Sequence, residues 1–259
     1  MPDPNALLST SDRDAALAKT AAIVHAYLTA VGIIVGDTSR DPSFGANHLL
    51  SYLAQDFIES AISIAFLARN GALSVPKREL RFVIESTIKI CFVQQKAYRS
   101  TIQEKLKQFD KELFSSSISV KRDLTLPMLQ PDLTDDFGEE LGRLYGKTST
   151  YVHLTPPQIM QRIAMVNSGG TTGYENASDV VDFNNLLARG FAASLVLLLH
   201  SVPDYVAGDW LVDSDGTTND SYFLGSRFIA AIDAFFDYKH ERQAALVSIQ
   251  KARAERIHF

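Results

Sequence analysis

Cysteine is almost missing from this chain, with Cys91 alone among 259 residues, and that excludes an internal disulfide framework. Cys91 lies in the apolar stretch Ile88-Lys89-Ile90-Cys91-Phe92, where a small buried side chain is expected rather than a reactive thiol. No uncharged apolar run approaches the roughly 18 residues needed to cross a bilayer, and Phe191 to Leu199 is about half that length. The opening Met1-Pro2-Asp3-Pro4, followed by Asp12 and Asp14, has neither the basic nor the apolar region of a secretory signal. These absences predict a cytoplasmic protein with no membrane contact. A Gly-x-x-x-x-Gly-Lys loop, a Gly-x-Ser-x-Gly elbow, a dinucleotide fingerprint and closely spaced Cys/His zinc ligands are missing too. No cofactor and no metal site is therefore expected.

Positive charge is in deficit, with 25 Lys and Arg against 30 Asp and Glu, giving a net charge of −5. Such a chain has no global attraction to nucleic acid or anionic lipid, so any nucleic-acid role must be local. Basic residues do gather between 77 and 107, from Lys77, Arg78 and Arg81 to Lys105 and Lys107, and again at Arg242, Lys251, Arg253 and Arg256. Apolar side chains make up 46% of the chain, enough for a substantial core near the size limit of one compact domain.

Apolar spacing is helical almost everywhere, and neither sustained strand alternation nor an internal repeat occurs. Residues 1–10 read as a disordered tail and residues 11–259 as one helical domain. The first helix runs from Ser11 to about Gly36 with Ile23, Val24, Tyr27, Val31 and Ile34 on one face. A second spans about Ala46–Arg69, closed by Asn70-Gly71, and a third about Val75–Ala97, with Ser74 and Pro76 in its first turn. A short basic helix follows over about 101–113, then an irregular stretch over about 114–134 containing Ser115-Ser116-Ser117. Asp135 starts a helix that ends at His153, before Pro156-Pro157. After a Gly/Ser/Thr/Asn-rich loop at 166–176 come an apolar helix over about 178–206, kinked at Pro203, and a C-terminal helix over about 220–257. The expected fold is all-α, an irregular bundle of six to seven helices.

Two segments carry the polar groups with chemical potential. In Arg78-Glu79-Leu80-Arg81-Phe82-Val83-Ile84-Glu85, Arg81 and Glu85 share a helix face, and Arg78 extends it by a turn. In Leu144-Tyr145-Gly146-Lys147-Thr148-Ser149-Thr150-Tyr151-Val152-His153, Tyr145, Thr148 or Ser149, and Val152 share a face. His153 stands in the last turn, where helix carbonyls favour its charged form. An imidazole there, beside a guanidinium, makes a candidate acid–base pair. The alternative is structural, with Arg81 and Glu85 as an internal ion pair, His153 as a helix cap, and Tyr145 and Tyr151 as packing residues. The acidic run from Asp135 to Glu140 has no second acidic motif to complete a magnesium site, and it suits a helix's first turn.

These two segments together, over about residues 46–157, resemble the HEPN-like all-α superfamily, in particular its bacterial branch with an LY..LS.YVH signature. The resemblance implies a helical bundle, frequently dimeric. Members that cleave RNA without metal use an Arg and a His with four to six residues between them. The matching slot here runs from Lys147 to His153, with Lys in place of the planar, fork-shaped Arg. By this resemblance His153 and Lys147 are the catalytic candidates, and Arg78, Arg81, Glu85, Tyr145, Ser149 and Tyr151 the substrate-binding ones. The function so implied is binding, with or without cleavage, of RNA or a nucleotide by a homodimer, within a bacterial defence or toxin-type system. The competing expectation is a non-catalytic helical module for dimerisation or partner binding. Arg253 to His258 matches the same spacing, at the end of the chain where fraying is expected.

Overall fold

Apolar side chains three and four positions apart force this chain to bury helix faces against one another. The computed structural model describes residues 10–113, 123–153, 155–167 and 176–259. The serine run 115–117, most of the 166–176 loop and the first nine residues, all read above as irregular, lie outside them. Among the described residues there is no β-strand, only one bridge between Val212 and Thr218, and the all-α expectation holds.

The helix number does not hold. Among the described residues, ten α-helices of at least eight residues replace the six or seven expected. We number them α1 (Thr10–Thr38), α2 (Leu50–Arg69), α3 (Ser74–Lys96), α4 (Ile102–Leu113), α5 (Pro131–Val152), α6 (Pro156–Asn167), α7 (Ala177–Leu199), α8 (Asp204–Leu211), α9 (Arg227–Phe235) and α10 (Leu246–Arg256). Three physical causes account for the excess. Pro156-Pro157 begins a helix instead of only ending one, because proline lacks just the N–H that a first turn leaves unpaired anyway. Pro203 separates α7 from α8 instead of kinking one helix. The chain is extended at Pro203, with ψ 143°, and the Ser201 hydroxyl donates to the Leu198 carbonyl that α7 leaves open. The expected C-terminal helix is cut into α9, α10 and short 3-10 turns between them.

Helix α7 is the axis of the bundle and packs on α1, α3, α5 and α9. Its residues from Gly190 to Leu199 are all buried. Tyr27 of α1 stacks on Phe191 with ring centroids 3.9 Å apart and donates to or accepts from Ser194, 2.9 Å away. Asn184 ties the same helices, its amide donating to the Ala16 carbonyl at 2.7 Å and its oxygen accepting from Thr20 at 2.6 Å. Gly190 lets α3 approach, since a Cβ there would lie 2.8 Å from Leu80 Cδ1. Cys91 is fully buried in this core, and burial pushes its thiol well above the usual range. Gly71, with φ +74°, takes the left-handed turn expected after α2.

By length and composition three helices could cross a membrane, Ser11–Thr38, Leu50–Arg69 and Ala177–Leu199. Isolated charges interrupt their apolar runs without making the helices too polar to span. In α7 the apolar length lies inside the bundle, with 72% of the window buried, against 39% in α1 and 28% in α2.

Candidate functional site

The polar segments of α3 and α5 meet because both helices bury an apolar stripe, Leu80, Val83 and Ile84 on α3 and Leu141 and Leu144 on α5. That packing sets the N-terminal half of α3 beside the C-terminal half of α5. Arg81, buried within this seam, carries most of its polar contacts. Its Nε donates to Ser149 Oγ at 2.9 Å. Its guanidinium lies 3.2 Å from the centroid of the Tyr145 ring, a stacked cation–π arrangement. Nη1 sits 2.8 Å from Glu85 Oε2, close enough for an ion pair but without hydrogen-bond alignment. Ser149 is satisfied in turn, accepting from Arg81 and donating to the Tyr145 carbonyl at 2.7 Å. Burial opposes ionisation of Glu85, yet Lys89 at 2.6 Å and Arg81 outweigh it and hold the carboxyl below its ordinary range.

One turn earlier on α3 the contacts run to the end of α5. Arg78 Nε donates to the Tyr151 carbonyl at 2.6 Å. Lys77 Nζ donates to the Tyr151 hydroxyl at 3.1 Å, and lies 4.5 Å from the centroid of that ring. Tyr151 is thus held by two cations of α3, Lys77 on its side chain and Arg78 on its carbonyl. Arg162 of α6 donates to Ser74 Oγ at 2.6 Å, bringing α6 to the start of α3.

Arg78, Arg81, Glu85, Tyr145, Ser149 and Tyr151 are therefore brought together. Lys147 and His153 do not join them. Lys147 is two residues from both Tyr145 and Ser149, about 200° around the helix from each, and its side chain is exposed. His153 terminates α5 in an extended conformation, φ −106° and ψ 135°, its backbone N–H donating to the Ser149 carbonyl at 3.2 Å and its imidazole exposed. Six residues apart, the two side chains point about 120° away from each other. Among the described residues no group of three or more His, Cys, Asp or Glu could hold a metal ion.

No family model, no curated protein and no solved structure matches the chain. Geometry alone carries the functional argument.

Sequence reasoning set Lys77 and Lys89 only in a general basic surface and did not link them to Tyr151 and Glu85. The i, i+4 spacing of Glu85 and Lys89 was a signal for one of these, whereas the Lys77–Tyr151 contact spans 74 residues and leaves none. Two other residues of that basic surface are not on the surface. Arg81 is buried in the seam, and Lys105 is fully buried with its ammonium donating to the Asn47 and Tyr98 carbonyls.

Proposed function

We propose that this protein is a HEPN-like helical module that binds single-stranded RNA along its phosphate backbone at the rim of the α3–α5 seam. The supporting observation is Arg78, an exposed guanidinium fastened through Nε alone, with no described residue on its terminal nitrogens. A guanidinium oriented by one nitrogen presents the remaining fork to a phosphate with little further ordering. Lys77 flanks it, and His153 stands exposed two residues beyond the carbonyl that orients it. Tyr145, exposed at its edge beside Arg81, adds an aromatic surface of the kind that unstacked bases favour.

Cleavage is the weaker half of the resemblance. General acid–base catalysis needs two groups within hydrogen-bond reach of one reacting site, and Lys147 and His153 diverge on α5. The buried Arg81 is already committed to Glu85, Ser149 and Tyr145. The test is fluorescence anisotropy of a labelled short RNA in EDTA over a salt series. Wild-type binding should weaken with salt, and Arg78→Ala should lower the slope of log K against log salt by about 0.7, the value of one lost single-strand phosphate contact. RNA incubated with wild type or His153→Ala should stay intact. Salt-independent binding, or an unchanged slope in Arg78→Ala, would remove the proposal.

A second reading, a helical module that pairs with another copy of itself, is favoured by α6. Ile159, Met160, Ile163 and Val166 form an exposed stripe, with Met160 64% and Val166 66% exposed. The one charged residue of α6, Arg162, is turned to Ser74. Both readings suit a cytoplasmic homodimer in a bacterial defence or toxin-type system. Recovery of the protein in the membrane pellet after cell fractionation would contradict that placement.

A further inference from the structure

A second polar concavity opens where α5, α7 and the chain around α9 meet, with a volume of about 520 Å³ and no residue of the α3–α5 seam in its lining. Its charge is lopsided. Lys19, Arg143, Arg189 and Arg227 line it against the single carboxylate Glu140, and Asp136 pairs with Arg227 at 2.7 Å. Glu139 pairs with Arg143 in the same way, so four cations less three carboxylates leave one positive charge, in a chain whose net charge is −5. A concave site with uncompensated charge concentrates anions.

The cations are also positioned. Glu140, buried, takes Arg189 in a two-pronged pair, Nε at 2.6 Å and Nη2 at 2.5 Å. That grip fixes the plane of the guanidinium and leaves its Nη1 without a partner among the described residues. Arg143 approaches Glu140 only to 3.9 Å and reaches Glu139 at 3.2 Å from a largely exposed position. Lys19 has no partner among the described residues. The open Nη1 of Arg189, the exposed guanidinium of Arg143 and the Lys19 ammonium around one hollow supply donors of the kind that a phosphate dianion takes.

An aromatic wall faces this charge. The Tyr222 ring meets the His258 ring edge-on at 6.4 Å and the Phe259 ring at 5.8 Å. Fraying is expected there from sequence position, but the segment is docked. The backbone N–H groups of His258 and Phe259 both donate to the Gly225 carbonyl, at 2.9 and 3.1 Å, and the Phe259 carbonyl accepts from Arg227 at 3.0 Å. Gly225 makes room for it, since a Cβ there would lie 2.1 Å from the His258 ring.

We propose that this cleft binds a nucleoside 5′-monophosphate, free or as the 5′ end of an RNA, with its phosphate among Arg143, Arg189 and Lys19 and its base against Tyr222 and His258. The volume lies within the range of small-ligand pockets. This site is independent of RNA binding at the seam.

Calorimetric titration of the full chain tests it with four probes, adenosine 5′-monophosphate, a 5′-phosphorylated trinucleotide, adenosine and inorganic phosphate. At least one of the first two should bind with Kd below about 1 mM, the tighter one identifying the source. Adenosine and phosphate alone should each bind at least about tenfold more weakly, as each supplies only part of the contact. Arg143→Gln and Lys19→Gln, both at exposed positions, should each weaken the nucleotide about tenfold while the melting temperature of the free protein stays unchanged. Lack of saturation by both nucleotides, phosphate binding as tightly as the nucleotides, or equal affinity in both variants would overturn it.

Discussion

His48 and His200 are both buried and neutral, but as opposite tautomers. His48 Nδ1 accepts from the Leu50 N–H at 3.2 Å, so Nε2 carries the proton and donates to the Ser201 carbonyl at 3.1 Å. His200 Nε2 accepts from the Met128 N–H at 3.3 Å, so Nδ1 donates to the Val196 carbonyl at 2.7 Å. Protonating either ring would set an N–H against an N–H. Burial is the main cause that lowers both from 6.5 to about 4. Between those values the unfolded chain binds more protons than the folded one, so this stability is fully present above pH 6.5 and is lost as pH falls toward about 4. Each histidine should contribute on the order of 1–3 kcal/mol to that loss. Urea unfolding followed between about pH 7 and pH 4.5 should show the decline, and His48→Gln with His200→Gln should flatten it. An equally steep profile in the double variant would assign the decline to other groups. Neither histidine carried a sequence signal, because its backbone partners at Ser201 and Met128 are 153 and 72 residues away.

At the scale of elements, α3 and α5 were legible because each carries a long apolar stripe with polar residues at helical spacing beside it. Arg81 with Glu85 and Tyr145 with Ser149 are i, i+4 pairs on single helices, and their grouping follows once the two stripes pack. Lys147 and His153 share a spacing but no face, which a motif written as a residue count does not record. Helix α6 was hidden by its own start, since Pro156-Pro157 reads both as a stop for α5 and as a first turn. Its exposed stripe has a consequence for association. If two copies pair through it, Met160→Asp with Ile163→Asp should convert a dimer to a monomer in light scattering coupled to gel filtration. Each aspartate would place an unpaired charge in an apolar contact. The same mass for variant and wild type would sink pairing through α6. Because both side chains are exposed, the melting temperature of the monomeric unit should change little.

Across the whole molecule, one contiguous cluster of buried side chains runs from Ala16 to Phe236, and the C-terminal segment is fastened to it by charge. Arg242 and Asp233 are fully buried and paired at 2.6 Å. Arg253 joins Asp233 at 2.6 Å and Asp237 at 2.6 Å, and Arg242 reaches Asp237 at 3.1 Å. Two guanidiniums and two carboxylates thus close a network that needs the chain to reverse between α9 and α10. This is why a single straight C-terminal helix does not form. Burial disfavours the Asp237 charge, but the two arginines and Gln250 hold its carboxyl below the ordinary range. Asp233→Ala would leave Arg242 buried without its nearest counter-charge. It should cost about 3–5 kcal/mol, roughly 6–20 °C in Tm for a protein of this size, measured by calorimetry. A loss of only a degree or two would mean that Asp237 and water take over the pairing.

Composition and spacing determined by themselves that this chain is helical, that it lacks the motifs of the common cofactors, and that Arg78, Arg81, Glu85, Tyr145, Ser149 and Tyr151 are its notable polar residues. Those properties are local, written in neighbours one to seven positions apart along a helix. Tertiary structure alone decided which cations are spent inside the protein and which remain open. Arg81, Lys105, Arg242 and Arg253 look like surface charges in sequence, yet packing buries them on partners distant along the chain or around a reversal. Arg78, Lys147 and His153 stay exposed. A charge is satisfied by whatever lies within about 4 Å of it, and along a folded chain that distance bears no relation to sequence separation.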